Sequence, residues 1–380
     1  MNGTRRFRIS PSGKEIAQRM RERIASGAWP ANQRIPTKME LCRLFGTSNM
    51  TMQRALAALA DEGFIRSRGR AGTFVTGNPP SSHRLALVVP ACQTRSLWYG
   101  SLIRALGLQD QQVASLVDVY QATDAGSAPA NAALLDDCLA HRLAGALFAA
   151  PFPGLSRTIR ERAPEFATMH LTAPPEAHTG HGLASVSPAS LVVGTLAGRG
   201  HQRLAMFGTF MQSTTLMREV AAQARDAGLR CEPEWMHALD PRAPDVARGI
   251  ARLMATLPAE RRPDALFISD DHLATATTAG LHDAGLGADG IDIVCHANIP
   301  FPPPTCMPVT YAGYDVVALM RTGLDSLTRL IAGHDLPGML PFHPILCDAA
   351  DMAQRQQAAL QAETGLGTGL GATSPSVTSH

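Results

Sequence analysis

Six short apolar runs recur through the body of this chain: LALVVP at 85–90, SLVDVY at 115–120, GALFAAP at 145–151, RLAMFG at 203–208, DALFIS at 264–269 and IDIVCH at 291–296. Between most of them lie 15 or more residues with helical spacing. A strand followed by a long helical connection pairs in parallel with the next strand, and parallel sheets are covered by helices on both faces. The expected fold class is therefore α/β, with a doubly wound parallel-sheet body over residues 84–348. That span suffices for two lobes.

The first 77 residues follow another grammar. Ser12 and Glu15 form a capping-box signature before Ile16, Met20 and Ile24, and Gly27 closes that run. Thr37 and Glu40 repeat the signature before Leu41, Leu44 and Phe45, and Gly46 stops it. Ser48 or Thr47 caps a third helix, in which Met52, Ala55, Leu56 and Leu59 share one face. Met50, Gln53 and Arg54 then lie on the opposite face, with Asn49 at the exposed start. After Gly63, Phe64-Ile65 pairs with Thr73-Phe74-Val75 across a Gly- and Arg-rich loop. Helix, helix, turn, helix, hairpin is the order of a winged helix-turn-helix, expected over 1–77. Residues 78–83, within the polar stretch TGNPPSSH, read as a linker. Residues 349–380 read as a short helix, AADMAQRQQAALQAE, and a disordered tail rich in Gly, Ser and Thr.

Charge is divided along the same boundary. Residues 1–78 hold 14 Lys and Arg against 5 Asp and Glu, and the remainder holds 20 against 27. A basic end on an acidic body suggests a module for a polyanion. Seven scattered cysteines without a Cys-x-x-Cys pair argue against a disulfide framework or zinc site. No signal peptide opens the chain and no run of about 18 apolar residues could span a bilayer, so a cytoplasmic location is expected.

The string RIPTKMELCRLFGTSNMTMQRALAALADEGFIRSRGRAGTFVTG, with this order of elements, resembles the DNA-binding domain of the GntR family of bacterial transcription regulators. The resemblance implies that the third helix enters the major groove and the wing reaches the adjacent minor groove. The expected DNA-binding residues are Arg34, Thr37, Ser48, Asn49, Met50, Thr51, Gln53, Arg54, Arg68 and Arg70, with Arg66 beside them. Backbone N–H groups around Thr37 suit a phosphate oxygen. Asn49 and Gln53 stand where the family usually carries arginine. An amide bonds bidentately to adenine, whereas arginine favours guanine, so A·T pairs are expected where relatives prefer G·C.

Lys14 and Lys38 are the only lysines, so the body cannot hold pyridoxal phosphate as a Schiff base. RGHQRLAMFG (199–208), DALFISDDHLATATTAGLHDAG (264–285) and YAGYDVVALMRTGLDSLTRLIAG (311–333) resemble the LacI/GalR effector domain, of type I periplasmic-binding-protein fold. The resemblance implies a small molecule, commonly a sugar or sugar derivative, held in a cleft, and a homodimer. Asp271 matches the aspartate of the family's Asn-Asp-x-x-Ala motif and either accepts a ligand hydroxyl or caps the next helix. Asp270 replaces the family's asparagine, and the family's ligand-gripping arginine has no counterpart near Leu216. Ala297 occupies another acidic position, beside Asn298. With Asp271, the expected ligand-binding residues are Trp98, Tyr99, Phe152, His296 and Asn298, where aromatic faces and amides suit a polyol.

Other signals are weak. Gly198-x-Gly200 lies between a helix and a strand, the wrong context for a dinucleotide turn. His178 and His181 read as surface histidines, and no nucleophile elbow occurs. The expectation is a DNA-binding, ligand-responsive regulator of repressor type, with no catalytic residues, metal or cofactor. The alternatives are a DNA-binding dimer without effector and an α/β enzyme fused to a regulatory module.

Overall fold

The computed structural model describes all residues except 1–11, 26, 78, 80–83, 92–96, 127, 141, 173–179, 210–212 and 368–380. Three helices open it: α1 (Gly13–Ala25), α2 (Lys38–Phe45) and α3 (Asn49–Asp61). A hairpin of β1 (Ile65–Ser67) and β2 (Thr73–Val75) follows. The body then runs β3 (Leu85–Pro90), α4 (Leu97–Gly107), α5 (Gln111–Ala114), β4 (Val117–Ala122), α6 (Ala132–Leu139), β5 (Gly145–Phe148), α7 (Pro153–Arg162), β6 (Ala167–His170) and β7 (His181–Ser185). It continues α8 (Ala189–Gly198), β8 (Leu204–Thr209), α9 (Ser213–Asp226), β9 (Met236–Leu239), α10 (Pro244–Ala255), β10 (Ala265–Ile268), α11 (Ala274–Asp283) and β11 (Asp292–Ile299). It ends with β12 (Thr310–Asp315), α12 (Val316–Ile331), β13 (Met339–Phe342), β14 (Ile345–Cys347) and α13 (Ala349–Gly367). No helix among the described residues is long and apolar enough to cross a membrane.

Two units emerge, residues 1–92, 115–170 and 326–336 in the first and 93–114, 171–325 and 337–380 in the second. In the first unit the three opening helices and the hairpin close on Ile16, Met20, Leu41, Met52, Leu59, Phe64 and Val75, all buried. Both expected capping boxes form. Ser12 N–H donates to Glu15 Oε2 at 2.7 Å, and Thr37 N–H to Glu40 Oε2 at 2.7 Å. The hairpin is antiparallel, with Ile65 opposite Val75. The same unit holds four parallel strands in the order β4-β3-β5-β6.

The second unit is built on a sheet in the order β14-β12-β11-β10-β8-β9, parallel except for β14. Its residues alternate between two cores. Ala205 and Phe207 of β8, Leu266 and Ile268 of β10, and Ile293 and Cys295 of β11 meet α10 and α11 through Ala247, Ala251, Ala274 and Leu281. Leu204 and Met206, Ala265 and Phe267, and Val294 meet α8 and α9 through Val192, Val193, Leu196, Val220 and Ala224. A period of two with apolar residues on both faces is what a doubly covered sheet requires. At Gly280 an added Cβ would collide with the Arg248 carbonyl, so glycine sets how closely α11 approaches α10. The pair β13–β7 completes the unit's strands.

The apolar runs missed β6, β7, β9, β12, β13 and β14, which are short or only partly buried and so carry little apolar signal. Helix α13 passes the expected end at Glu363 and continues to Gly367. Glycine in a helix costs only about 1 kcal/mol relative to alanine. Except for Pro79 the linker lies outside the described residues, as does the tail from 368.

Candidate functional site

Two polar constellations stand out, one in each unit. In the first unit, Ser48 is the N-cap of α3, its Oγ accepting from Thr51 N–H at 3.2 Å and lying 2.8 Å from Thr51 Oγ1. This cap fixes where the helix begins and leaves Asn49, Met50, Gln53 and Arg54 exposed. Asn49 and Gln53, four residues apart, lie one above the other on that face. Met50 is 65% exposed beside them. Gln53 Oε1 accepts from Lys38 Nζ at 3.3 Å, a link across α2 and α3 that spacing alone did not reveal.

The wing contributes cations. Arg68 stacks on the Phe74 ring at 4.7 Å, and Arg66, Arg68 and Arg70 are exposed. Arg34 pairs with Phe74 of β2 in an antiparallel backbone bridge, and its guanidinium passes over Gly72. A Cβ there would lie 2.6 Å from Arg34 Nε, and the residue has φ +106°. Glycine thus both permits the loop and makes room for Arg34. Thr37 is the N-cap of α2. Its N–H and the N–H of Glu40 are taken by the capping box, and Thr37 Oγ1 donates to Glu40 Oε2 at 2.8 Å. Hydrogen bonds from Thr37 hold the Glu40 carboxyl below its usual range.

In the second unit, polar side chains gather at the carboxyl ends of β8, β10 and β11. Asp270 is the N-cap of the short 3-10 turn after β10, accepting from His272 N–H at 3.0 Å. Thr209 Oγ1, at the end of β8, donates to Asp270 Oδ2 at 3.2 Å. Asp271 is 7% exposed and accepts from Asn298 Nδ2 of β11 at 2.7 Å. The capping alternative left open for Asp271 thus belongs to Asp270, because the chain turns one residue earlier.

His272 Nδ1 lies 2.9 Å from Asp270 Oδ1 and 3.0 Å from Asp271 Oδ1. Hydrogen bonds to Asp270 and then Asp271 push its pKa up to about 10, against the effect of burial. Burial opposes the charge of Asp270, but the His272 hydrogen bonds outweigh it and hold that carboxyl below its usual range. Ligand atoms of Asp270, Asp271 and His272 fall within 4.8 Å of one another, the spacing of a metal site. Here the protonated imidazole is itself the cation, and a metal would have to displace that proton.

The other expected ligand residues fall differently. Asn298 is 1% exposed, and its Oδ1 has no hydrogen-bond partner. His296 is half-buried, edge-on to Tyr314 at 6.1 Å. Trp98 and Tyr99 are half-buried in the first turn of α4, which starts at Leu97, whose nitrogen lies 3.5 Å from His272 Nε2. Phe152 belongs to the first unit, where its ring, 3% exposed, packs on Phe148 at 5.9 Å. Leu216 packs against the core of the second unit. His181 Nδ1 lies 3.3 Å from Pro337 O, and His178 falls outside the described residues. Thr209 and His272 carry no signal in the sequence: the first lies 61 residues from its partner, and the second follows two carboxylates without a pattern of its own.

Residues 12–75 match the model of bacterial regulatory proteins of the gntR family, and residues 193–342 match the model of periplasmic binding protein-like domains. The histidine utilization repressor of Klebsiella aerogenes is 42% identical over 66 residues, which cover 17% of this chain and 27% of that protein. The chain thus spans about a quarter of such a relative's length. A LacI-family regulatory protein from Chloroflexus aggregans superposes with a TM-score of 0.56 at 16% identity, covering 70% of this chain and 96% of that one. A LacI-family regulator from Lactobacillus casei, solved with bound sucrose, superposes at 0.52 and 16% identity, covering 69% and 97%. The chain therefore carries an N-terminal segment that matches the model of bacterial regulatory proteins of the gntR family, joined to a body with a periplasmic-binding-protein-like fold.

Proposed function

We propose that the chain is a ligand-responsive transcription regulator, a repressor controlled by a sugar-like metabolite. In this reading the DNA-binding domain spans 1–77, the linker 78–83 and the ligand-binding domain 84–348. The observation that carries it is the pairing, in one chain, of an exposed amide-and-arginine face on α3 and the wing with a buried polar cluster at the carboxyl ends of β8, β10 and β11. In open parallel sheets ligands bind outside those strand ends. The histidine utilization repressor supports repression, and the sucrose held by the Lactobacillus casei regulator supports a sugar-like effector.

Asn49, Met50, Thr51, Gln53 and Arg54 enter the major groove, Arg34 and the wing arginines meet phosphates or the minor groove, and Asp271, His296 and Asn298, with Trp98 and Tyr99, hold the effector. Regulators of this build act in the cytoplasm as homodimers on near-palindromic sites. An apolar stripe on α10 supports a second copy as partner: Val246 and Leu253, 49% and 69% exposed, flank Ile250 on one face. Leu253→Glu is expected to yield monomers in sedimentation. Effector shifts DNA affinity only through its unequal binding to two arrangements of the protein, typically ~1 to 3 kcal/mol.

Operator selection with the full chain tests the reading. Recovery of a near-palindrome with A·T pairs under Asn49 and Gln53 supports it, and guanine at those positions contradicts the amide readout. Lys38→Met, which frees Gln53 Oε1, is expected to sharpen the adenine preference. Gln53→Arg is expected to move that position to guanine, by ~1 to 3 kcal/mol of discrimination.

A further inference from the structure

The cluster on the second unit is short of donors. Each carboxylate oxygen accepts about two hydrogen bonds, and an amide oxygen likewise. Asp270 Oδ1 is filled by the N–H and Nδ1 of His272, but among the described residues Asp270 Oδ2 receives only Thr209 Oγ1. Among the described residues Asp271 Oδ2 receives only Asn298 Nδ2. Because that amide nitrogen is committed to a carboxylate, the amide cannot flip, and Asn298 Oδ1 stays without a partner at 1% exposure. A buried acceptor left unmade is destabilising, so it marks a place where a donor belongs. With two carboxylates and one imidazolium, the corner also carries a net negative charge.

A neutral hydroxyl would fill this corner poorly. It brings one donor and turns its own lone pairs toward carboxylates. An ammonium brings three donors, no acceptor and the missing charge. We propose that the ligand recognised at the Asp270, Asp271 and Asn298 corner presents a primary ammonium group beside its hydroxyls, as an amino sugar or amino polyol does. The inference rests on this corner being the effector site and narrows what it accepts.

Matched pairs test it. Glucosamine against glucose, and 1-amino-1-deoxysorbitol against sorbitol, are titrated into the full chain at pH 7 by calorimetry, with thermal shift in parallel. The cationic member of each pair is expected to bind about tenfold more tightly or better, the scale of one charged hydrogen bond. Asp270→Asn and Asp271→Asn are each expected to erase that preference; should either variant fold poorly, the wild-type pairs alone decide. Equal or tighter binding of glucose and sorbitol overturns the inference and leaves the effector reading standing. An ammonium preference that survives both substitutions also overturns it, as does the failure of both cationic compounds to bind. The broader reading fails separately, if the full chain retards no DNA.

Discussion

The face of α3 and the cluster at the strand ends are both polar, yet they are built by opposite means. On α3, Asn49, Met50, Gln53 and Arg54 are exposed side chains on one short helix, set by a local cap at Ser48. At the strand ends, Thr209, Asp271 and Asn298 come from β8, the turn after β10, and β11, and are buried. Exposed groups act almost independently, because water and salt screen one from the next. Buried polar groups satisfy one another, so removing one leaves its partner unmade. One region should therefore respond to mutation in small additive steps and the other in coupled ones.

The largest expected effect sets a limit to the independence of the exposed face. Phe64 is fully buried beneath it, and Phe64→Ala is expected to cost the helix-turn-helix about 3 to 5 kcal/mol, read by denaturant melts. Retardation of DNA should vanish with it, whereas the melt of the second unit should stay in place. Coupling at the strand ends is the next largest. Asp271→Ala and Asn298→Ala should each cost about 1 to 3 kcal/mol, and the double variant clearly less than their sum. Additive costs would show that the 2.7 Å bond between them is not what holds the pair.

Ser48→Ala is smaller, about 1 kcal/mol of helix stability, and is expected to weaken DNA binding by no more than that loss explains. The pH response of His272 is read as a change of melting temperature with pH rather than as the cost of a substitution. Its folded pKa of about 10 stands above the ordinary 6.5, so its contribution is complete below pH 6.5 and is lost as pH rises through 10. The melting temperature of the second unit should fall over that window, and His272→Gln should flatten the fall. A wild-type profile already flat over that range would mean that the imidazole is not held between two carboxylates.

The same contrast explains what the sequence disclosed. Capping boxes at Ser12 and Thr37, the cap at Ser48 and the buried run of Met52, Ala55 and Leu59 are local patterns, read at fixed offsets. The alternation of β8, β10 and β11 was legible because both faces are apolar. Asp271 and Asn298 stood out by likeness to a motif, but their bond to each other did not, since 27 residues separate them. Lys38 on Gln53 and Arg34 over Gly72 were hidden for the same reason: contacts across elements have no periodicity. Phe152 looked available at a helix start, and only packing against Phe148 reveals that its ring is buried.

The central claim is that the basic N-terminal face grips DNA phosphates, and salt dependence of operator affinity tests it most directly. With six to ten phosphates contacted, affinity is expected to fall by about 10³ to 10⁵ between 50 and 200 mM salt. Arg68→Ala should lower the slope of log affinity against log salt by about one per protomer. An affinity that stays flat across that range, or a slope untouched by loss of the wing arginines, would contradict the account.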